Sequence, residues 1–117
     1  MSLGNALRTA DDLQHIRYAT DLIERYTTGM DLAAFVADRK TQDAVIRNLA
    51  IVGEACNNFT KHDPLFEAQH PEVPWRFACE MRNVLAHGYF TVDMNVIWQT
   101  VARDLPVLRA QIIGLMA

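Results

Sequence analysis

Residues 41–60 read TQDAVIRNLAIVGEACNNFT, and this stretch decides the fold. Val45, Ile46, Leu49, Val52, Ala55, Cys56 and Phe59 recur at spacings of three and four, which places them on one side of a helix with 3.6 residues per turn. Thr41 or Asp43 is expected to open this helix, and Gly53 in its middle is expected to let a second helix approach closely. Upstream, residues 5–27 repeat the pattern with Leu13, Ile16, Ala19, Leu22, Ile23 and Tyr26, and Gly29 is placed to end that helix. Asp31 then caps a short turn through Leu32, Phe35 and Val36. Downstream, Pro64, Pro71 and Pro74 make residues 61–74 mostly loop with one short helical turn, leaving His62 and His70 exposed. A third helix is predicted from Pro74 to about His87, with Gly88 where a left-handed cap is wanted. Asp93 caps a fourth, carrying Val96, Ile97, Thr100 and Val101. Pro106 either kinks it or begins a fifth through Leu108, Ile112 and Leu115. No segment alternates with period two between hairpin turns. The predicted fold is all-α: a four- to five-helix up-and-down bundle forming a single domain over residues 1–117.

The 117 residues are enough to bury roughly two-thirds of the unfolded surface, so the chain is expected to fold without disulfide or metal. Half the residues are hydrophobic and 21% are charged, an ordinary globular balance. No apolar run approaches the roughly 20 residues of a membrane span, and no secretory leader is evident. A cytoplasmic protein without membrane contact is expected. Cys56 and Cys79 both fall within helical periodicity and read as reduced, buried thiols. A net charge of −3 argues against a protein that coats nucleic acid non-specifically. It does not exclude a nuclease, which can carry a small basic pocket on an acidic body or borrow positive charge from a second subunit. His15, His62 and His70 form no metal-ligand spacing, and neither metal nor cofactor is expected. Trp75 and Trp98 read as core or interface anchors, and Met30, Met81, Met94 and Met116 as packing.

Chemistry concentrates in residues 75–89. Asn83 and His87 are four apart and share a helix face, with Cys79 and Glu80 one turn earlier. Arg82 lies five residues before His87, about 140° around an ideal helix, so the two would not meet head-on within one subunit. Two-fold pairing of this helix would bring both sets together, which favours a composite site in a homodimer. These groups suit phosphodiester cleavage. The Arg82 fork can grip a phosphate through two hydrogen bonds and stabilise charge building on its oxygens. His87 titrates near neutrality and can take or give a proton. Asn83 can orient the imidazole or bond a ribose hydroxyl. RNA carries its own nucleophile in the 2′-hydroxyl, so no metal is required. Spacing alone also permits a purely structural reading, with His87 as a helix cap, Arg82 as an ion-pair partner and Tyr89 as a half-buried aromatic. Glu54 needs a cationic partner if it is buried, and Arg47, Arg76 or Arg82 can supply one. Glu54 and Arg47 are secondary site candidates: Glu54 reads as a structural ion-pair partner or a site residue, and Arg47 as part of a solvated face or a further phosphate contact.

The arrangement Arg82-x4-His87-x-Tyr89, with Asn83 directly after the arginine, resembles the signature of the HEPN superfamily, and within it the HepT-like toxins. The likeness extends beyond the motif. Arg47-Asn48-Leu49-Ala50-Ile51-Val52-Gly53-Glu54-Ala55 looks like that family's second-helix block, and Pro74-Trp75 followed by Met81-Arg82-Asn83 looks like the lead-in to its active helix. Val96-Ile97-Trp98 and Asp104-Leu105-Pro106 resemble its C-terminal segment, so the similarity covers about residues 5–110. The resemblance implies a homodimeric, metal-independent endoribonuclease toxin acting on an RNA such as tRNA or mRNA. It implies a cognate minimal nucleotidyltransferase antitoxin as partner, which transfers AMP to the tyrosine matching Tyr89. Carried over by position, Arg82 and His87 are catalytic, Asn83 supports them, and Tyr89 is the modified residue. The alternative is a non-catalytic subunit that binds a nucleotide or a nucleotidyltransferase and cleaves nothing. Retention of Arg, Asn, His and Tyr together favours the toxin.

Overall fold

The structure is a computed structural model that describes residues 3–88 and 92–116, without the side chains of Leu3, Asn5 and residues 86–88. The described chain is helical with short connections. Its elements are α1 (Leu3–Thr27), α2 (Leu32–Val36), α3 (Arg39–His62), α4 (Pro64–Gln69), α5 (Trp75–Gly88), α6 (Met94–Gln99), a π-helical turn at Thr100–Asp104, and α7 (Leu105–Met116). No strand occurs among the described residues. The all-α bundle expected from periodicity is the fold observed.

Local chemistry sets most boundaries. Gly29 takes a left-handed φ of +78° and lets the chain leave α1, while the Met30 amide bonds back to the Thr27 carbonyl at 3.0 Å. The Asp31 carboxylate accepts from the Ala34 amide at 2.9 Å and caps α2 as expected. The cap of α3 is Asp38, earlier than Thr41 or Asp43. Its carboxylate takes both the amide (3.0 Å) and the hydroxyl (2.8 Å) of Thr41. Those bonds hold the Asp38 pKa below its ordinary value. Gln42 donates to the carbonyls of Phe35 and Val36, satisfying the end of α2. Asp93 caps α6 by accepting from the Asn95 amide at 2.8 Å. Pro106 has no N–H to return to the Ala102 carbonyl, and just before it the ladder widens, with the Leu105 amide reaching back to Thr100. The segment from α6 to α7 therefore forms one rod with a π-helical turn.

α3 is the central element, packed between α1 and α5, and α1 also packs on α7. Ile16 and Ile23 from α1, Phe35 from α2, Val45, Leu49, Val52, Cys56 and Phe59 from α3, and Ile112 from α7 are wholly enclosed. Burial of each such side chain stabilises by about 1.5–3 kcal/mol. Phe59 stacks on Phe66 (ring centroids 5.3 Å apart) and tilts against Trp75 (4.9 Å). Trp75 is buried and donates its indole N–H to the His70 carbonyl at 3.0 Å, and Trp98 packs on Phe35 at 5.2 Å. Both tryptophans thus serve the core. Burial pushes the Cys56 thiol pKa up, as for an inert buried thiol. Cys79 is also free but only half-buried, because it flanks the line where α5 touches α3.

Further sequence expectations differ from the structure, among them that of a mostly loop segment at 61–74, which holds the end of α3 and all of α4. Leu22 and Tyr26 share the apolar side of α1 yet lie outside the core, at the open edge where α1 meets α3. Val96 is exposed although Ile97 beside it is buried. His62 is not an exposed loop residue: α3 continues through it, and its Nε2 lies 3.2 Å from the Asp12 carboxylate of α1. Nearby, the Thr9 hydroxyl donates to Asp63 at 2.7 Å inside the protein.

Candidate active site

Gly53 positions the site. A Cβ there would overlap the Cβ of Arg82 and fall 2.8 Å from the Ala78 carbonyl oxygen. Only a residue without a side chain lets α3 and α5 touch at this level. The contact fixes the backbone of Arg82 against α3 and leaves its guanidinium at the rim of the seam. The residue after the glycine, Glu54, meets it there: Arg82 Nε and Glu54 Oε2 form a 2.6 Å ion pair. Glu54 finds its cationic partner without being buried: its side chain is 54% exposed and that of Arg82 36%. An ion pair this open to solvent adds about 0–1 kcal/mol to stability, so its main effect is to aim the arginine.

Asn83 joins the same cluster. Its side chain is exposed, and its Oδ1 accepts from Arg82 Nη1 at 3.4 Å. Arg82 Nη2 makes no hydrogen bond among the described residues, and the side chain as a whole is 36% exposed. On the other flank, Arg76 and Glu80 pair with each other at 3.3 Å and leave the site arginine alone. Burial raises the Cys79 thiol pKa, and a hydrogen bond with Thr60 partly offsets it. That combination does not make a reactive thiolate.

Of the residues singled out in the sequence, the structure brings Arg82, Asn83 and Glu54 together. Arg47 stands two turns earlier on α3 and makes no hydrogen bond or ion pair with that trio. It lines a groove between α1 and α3 with His15, Tyr18, Leu22, Tyr26 and Ile51. His87 belongs to α5, but its side chain lies outside the described residues, as does Tyr89 entirely. Sequence reading missed the buried Asp12–His62 pair, because no local pattern links residues 50 positions apart. Among the described residues, no group of three or more His, Cys, Asp and Glu side chains is placed to hold a metal ion. Among the described residues, no helix is long and apolar enough to cross a membrane.

This arrangement offers an aimed, accessible guanidinium with an amide beside it, which suits an anionic, hydrogen-bonding ligand such as a phosphodiester. Comparison with known proteins agrees in kind. The HepT-like family, described as ribonuclease HepT-like, matches residues 16–114. A protein of Thermococcus cleftensis named "Probable ribonuclease HepT" is 45% identical over 101 residues, covering 86% of this chain and 89% of that protein. A "Putative RNase" of Caldanaerobacter subterraneus subsp. tengcongensis is 34% identical over 100 residues, covering 86% and 87%. A protein of Methanocaldococcus jannaschii, "Gamma-glutamylcyclotransferase and putative RNase", is 36% identical over 104 residues, which span 89% of this chain but 46% of that larger protein. No solved structure matches the chain. A helical bundle with an arginine aimed at the α3–α5 seam, together with a match over most of its length, shows that this chain belongs to the HepT-like ribonuclease family of the HEPN superfamily.

Proposed function

We propose that the chain is a metal-independent endoribonuclease toxin working as a homodimer, with Arg82 and His87 as catalytic residues. The observation that carries this reading is Arg82 itself, its backbone wedged on Gly53 and its guanidinium aligned by Glu54 and Asn83 at an open surface. In the reaction, His87 takes the proton of a ribose 2′-hydroxyl and the 2′-oxygen attacks the adjacent phosphorus. The P–O5′ bond breaks, the departing oxygen gains a proton, and the products are a cyclic phosphate and a 5′-hydroxyl. Arg82 holds the phosphoryl oxygens as their charge grows, a role in which one donor typically contributes a factor of roughly 10²–10³. Asn83 supports the pair, and Glu54 keeps the arginine in line.

A second copy supplies the rest of the site. Phe77 and Val84, seven residues apart on α5, are both exposed, as expected of a helix that meets another. Two-fold contact along α5 would set two motifs side by side. The toxin is held in check by a neighbouring nucleotidyltransferase antitoxin that adenylylates Tyr89. The phenol oxygen attacks the α-phosphorus of a nucleoside triphosphate, pyrophosphate leaves, and AMP stays on the ring. A bulky anion two residues from His87 would repel RNA.

Incubation of the purified protein with total RNA or tRNA in EDTA tests the catalytic claim. Cleavage by the parent chain is expected, with losses of about 100-fold or more in Arg82→Ala and His87→Ala. Equal cleavage by all three would end it. Expression should arrest growth, and His87→Ala should relieve the arrest; a harmless parent would favour the non-catalytic partner-binding subunit. Co-expression with the antitoxin should add AMP mass that Tyr89→Phe abolishes.

A further inference from the structure

We infer that the groove between α1 and α3 is a second binding site, for single-stranded RNA, in which Tyr18 and Tyr26 stack bases and Arg47 contacts a phosphate. The inference rests on the ribonuclease reading and adds to it a place for the strand beyond the scissile bond. The groove encloses about 400 Å³, a volume suited to a nucleotide-sized ligand. Tyr18, Leu22 and Tyr26 lie four residues apart in turn, on one stripe of α1. Tyr18 is 65% exposed and Tyr26 39%, although both rings carry large apolar faces. Ala19 and Ala44 are short, so the space between the two helices stays open. Leu22 and Ile51 add apolar lining.

Charge gives the groove its preference. Arg17, Arg39, Arg76, Arg82 and Arg109 each pair with a carboxylate. Arg47, exposed at the groove, pairs with none among the described residues. No Asp or Glu lines the groove, and His15 is its other basic group. Arg8, Arg25 and Arg103 also lack a carboxylate partner among the described residues, so what marks this groove is a lining that holds an arginine and a histidine and no acid, in a chain of net charge −3. Closing it on a second copy of itself by two-fold symmetry would cover two such arginines with a surface that offers no carboxylate to offset them. A polyanion with flat, stackable groups meets every feature. Arg47, Ile51 and Glu54 follow one another along the same side of α3, and seven residues of helix span about 10 Å. A strand held on Arg82 therefore needs only a few nucleotides to reach the tyrosines.

Fluorescence anisotropy with a 2′-O-methyl oligoribonucleotide of about ten residues, which cannot be cleaved through its 2′-position, tests this. Tyr18→Ala, Tyr26→Ala and Arg47→Ala are each expected to weaken binding roughly five-fold or more, and Tyr18→Phe to restore it, since stacking needs the ring alone. A strand carrying 4-thiouridine should crosslink to the α1 peptide that contains the two tyrosines. Unchanged affinity in all three alanine variants overturns the inference. So does a loss of binding that tracks a change in oligomeric mass, which would make this face a subunit contact. Cleavage of unmodified RNA by the parent chain separates the two readings. Cleavage with tyrosine-independent binding sinks the groove and keeps the ribonuclease, whereas tyrosine-dependent binding without cleavage does the reverse.

Discussion

Two acid–base pairings tie neighbouring helices to α3, and they differ in what they can reach. At the end of α3, His62 and Asp12 sit 3.2 Å apart with side chains 15% and 9% exposed. Asn58 hydrogen-bonds the same carboxylate, yet Asp12 Oδ2 and His62 Nε2 complete no aligned hydrogen bond with each other. At the α3–α5 seam, Arg82 and Glu54 touch at 2.6 Å while remaining far more open. Residue types alone would nominate the first pair as the chemical centre, since a histidine against a carboxylate is a familiar way to move protons. Access argues the opposite. A polymer cannot enter the packed end of the bundle, whereas the side chains at the seam are open to solvent. Enclosure makes the first pairing a structural strut, and exposure makes the second a tool.

The largest expected effect comes from the glycine behind the arginine. Gly53→Ala forces a methyl group into the Arg82 Cβ and the Ala78 carbonyl, so the helices must part. A cost of about 1–3 kcal/mol is expected in denaturant melts, together with a fall in RNA cleavage because Arg82 moves with α5. Full stability and full activity in this variant would mean that the seam does not aim the arginine. Next, His62→Ala should leave Asp12 enclosed without its partner and remove the contact with Phe59, costing about 1–3 kcal/mol while RNA cleavage by the folded protein persists. Loss of cleavage at unchanged melting temperature would reverse the roles assigned to the two pairings. The smallest effect belongs to Asp12→Asn. Burial raises the Asp12 pKa above its ordinary 3.8, with Asn58 and His62 opposing the rise. Between the unfolded and native pKa values, the native state therefore holds a proton that the unfolded chain releases. This contribution to stability is complete below the unfolded pKa and is lost as pH rises through the native one. Asp12→Asn should accordingly melt above the parent near neutral pH and match it below about pH 3. A variant that melts below the parent near neutral pH and matches it in acid would show that the charged pair, not its desolvation, dominates.

Much of the bundle was legible because its helices keep a 3.6-residue period and its boundaries carry their own chemistry. The apolar side of α3 was read residue for residue, and the caps at Asp31 and Asp93 and the turn at Gly29 stood where turn-forming residues stood. Misreadings arose where tertiary packing outvoted local pattern. Leu22 and Tyr26 satisfy the period, but α3 crosses α1 in a way that leaves them at a groove. The sequence offers Thr41 or Asp43 to open α3, whereas Asp38 is the cap and the hydroxyl of Thr41 bonds to it. The site was half legible. Glu54 had three arginines as candidate partners, and only the close approach at Gly53 selects Arg82.

That close approach has an energetic consequence. A long, freely rotating cation on an open helix would surrender about 0.5–1.5 kcal/mol of side-chain freedom each time it closed on a ligand. Here the stem of Arg82 abuts another backbone and its head is tethered by a carboxylate, so much of that freedom is already gone when folding ends. An incoming phosphate would meet a donor that has little left to lose, and more of the contact would then appear as affinity.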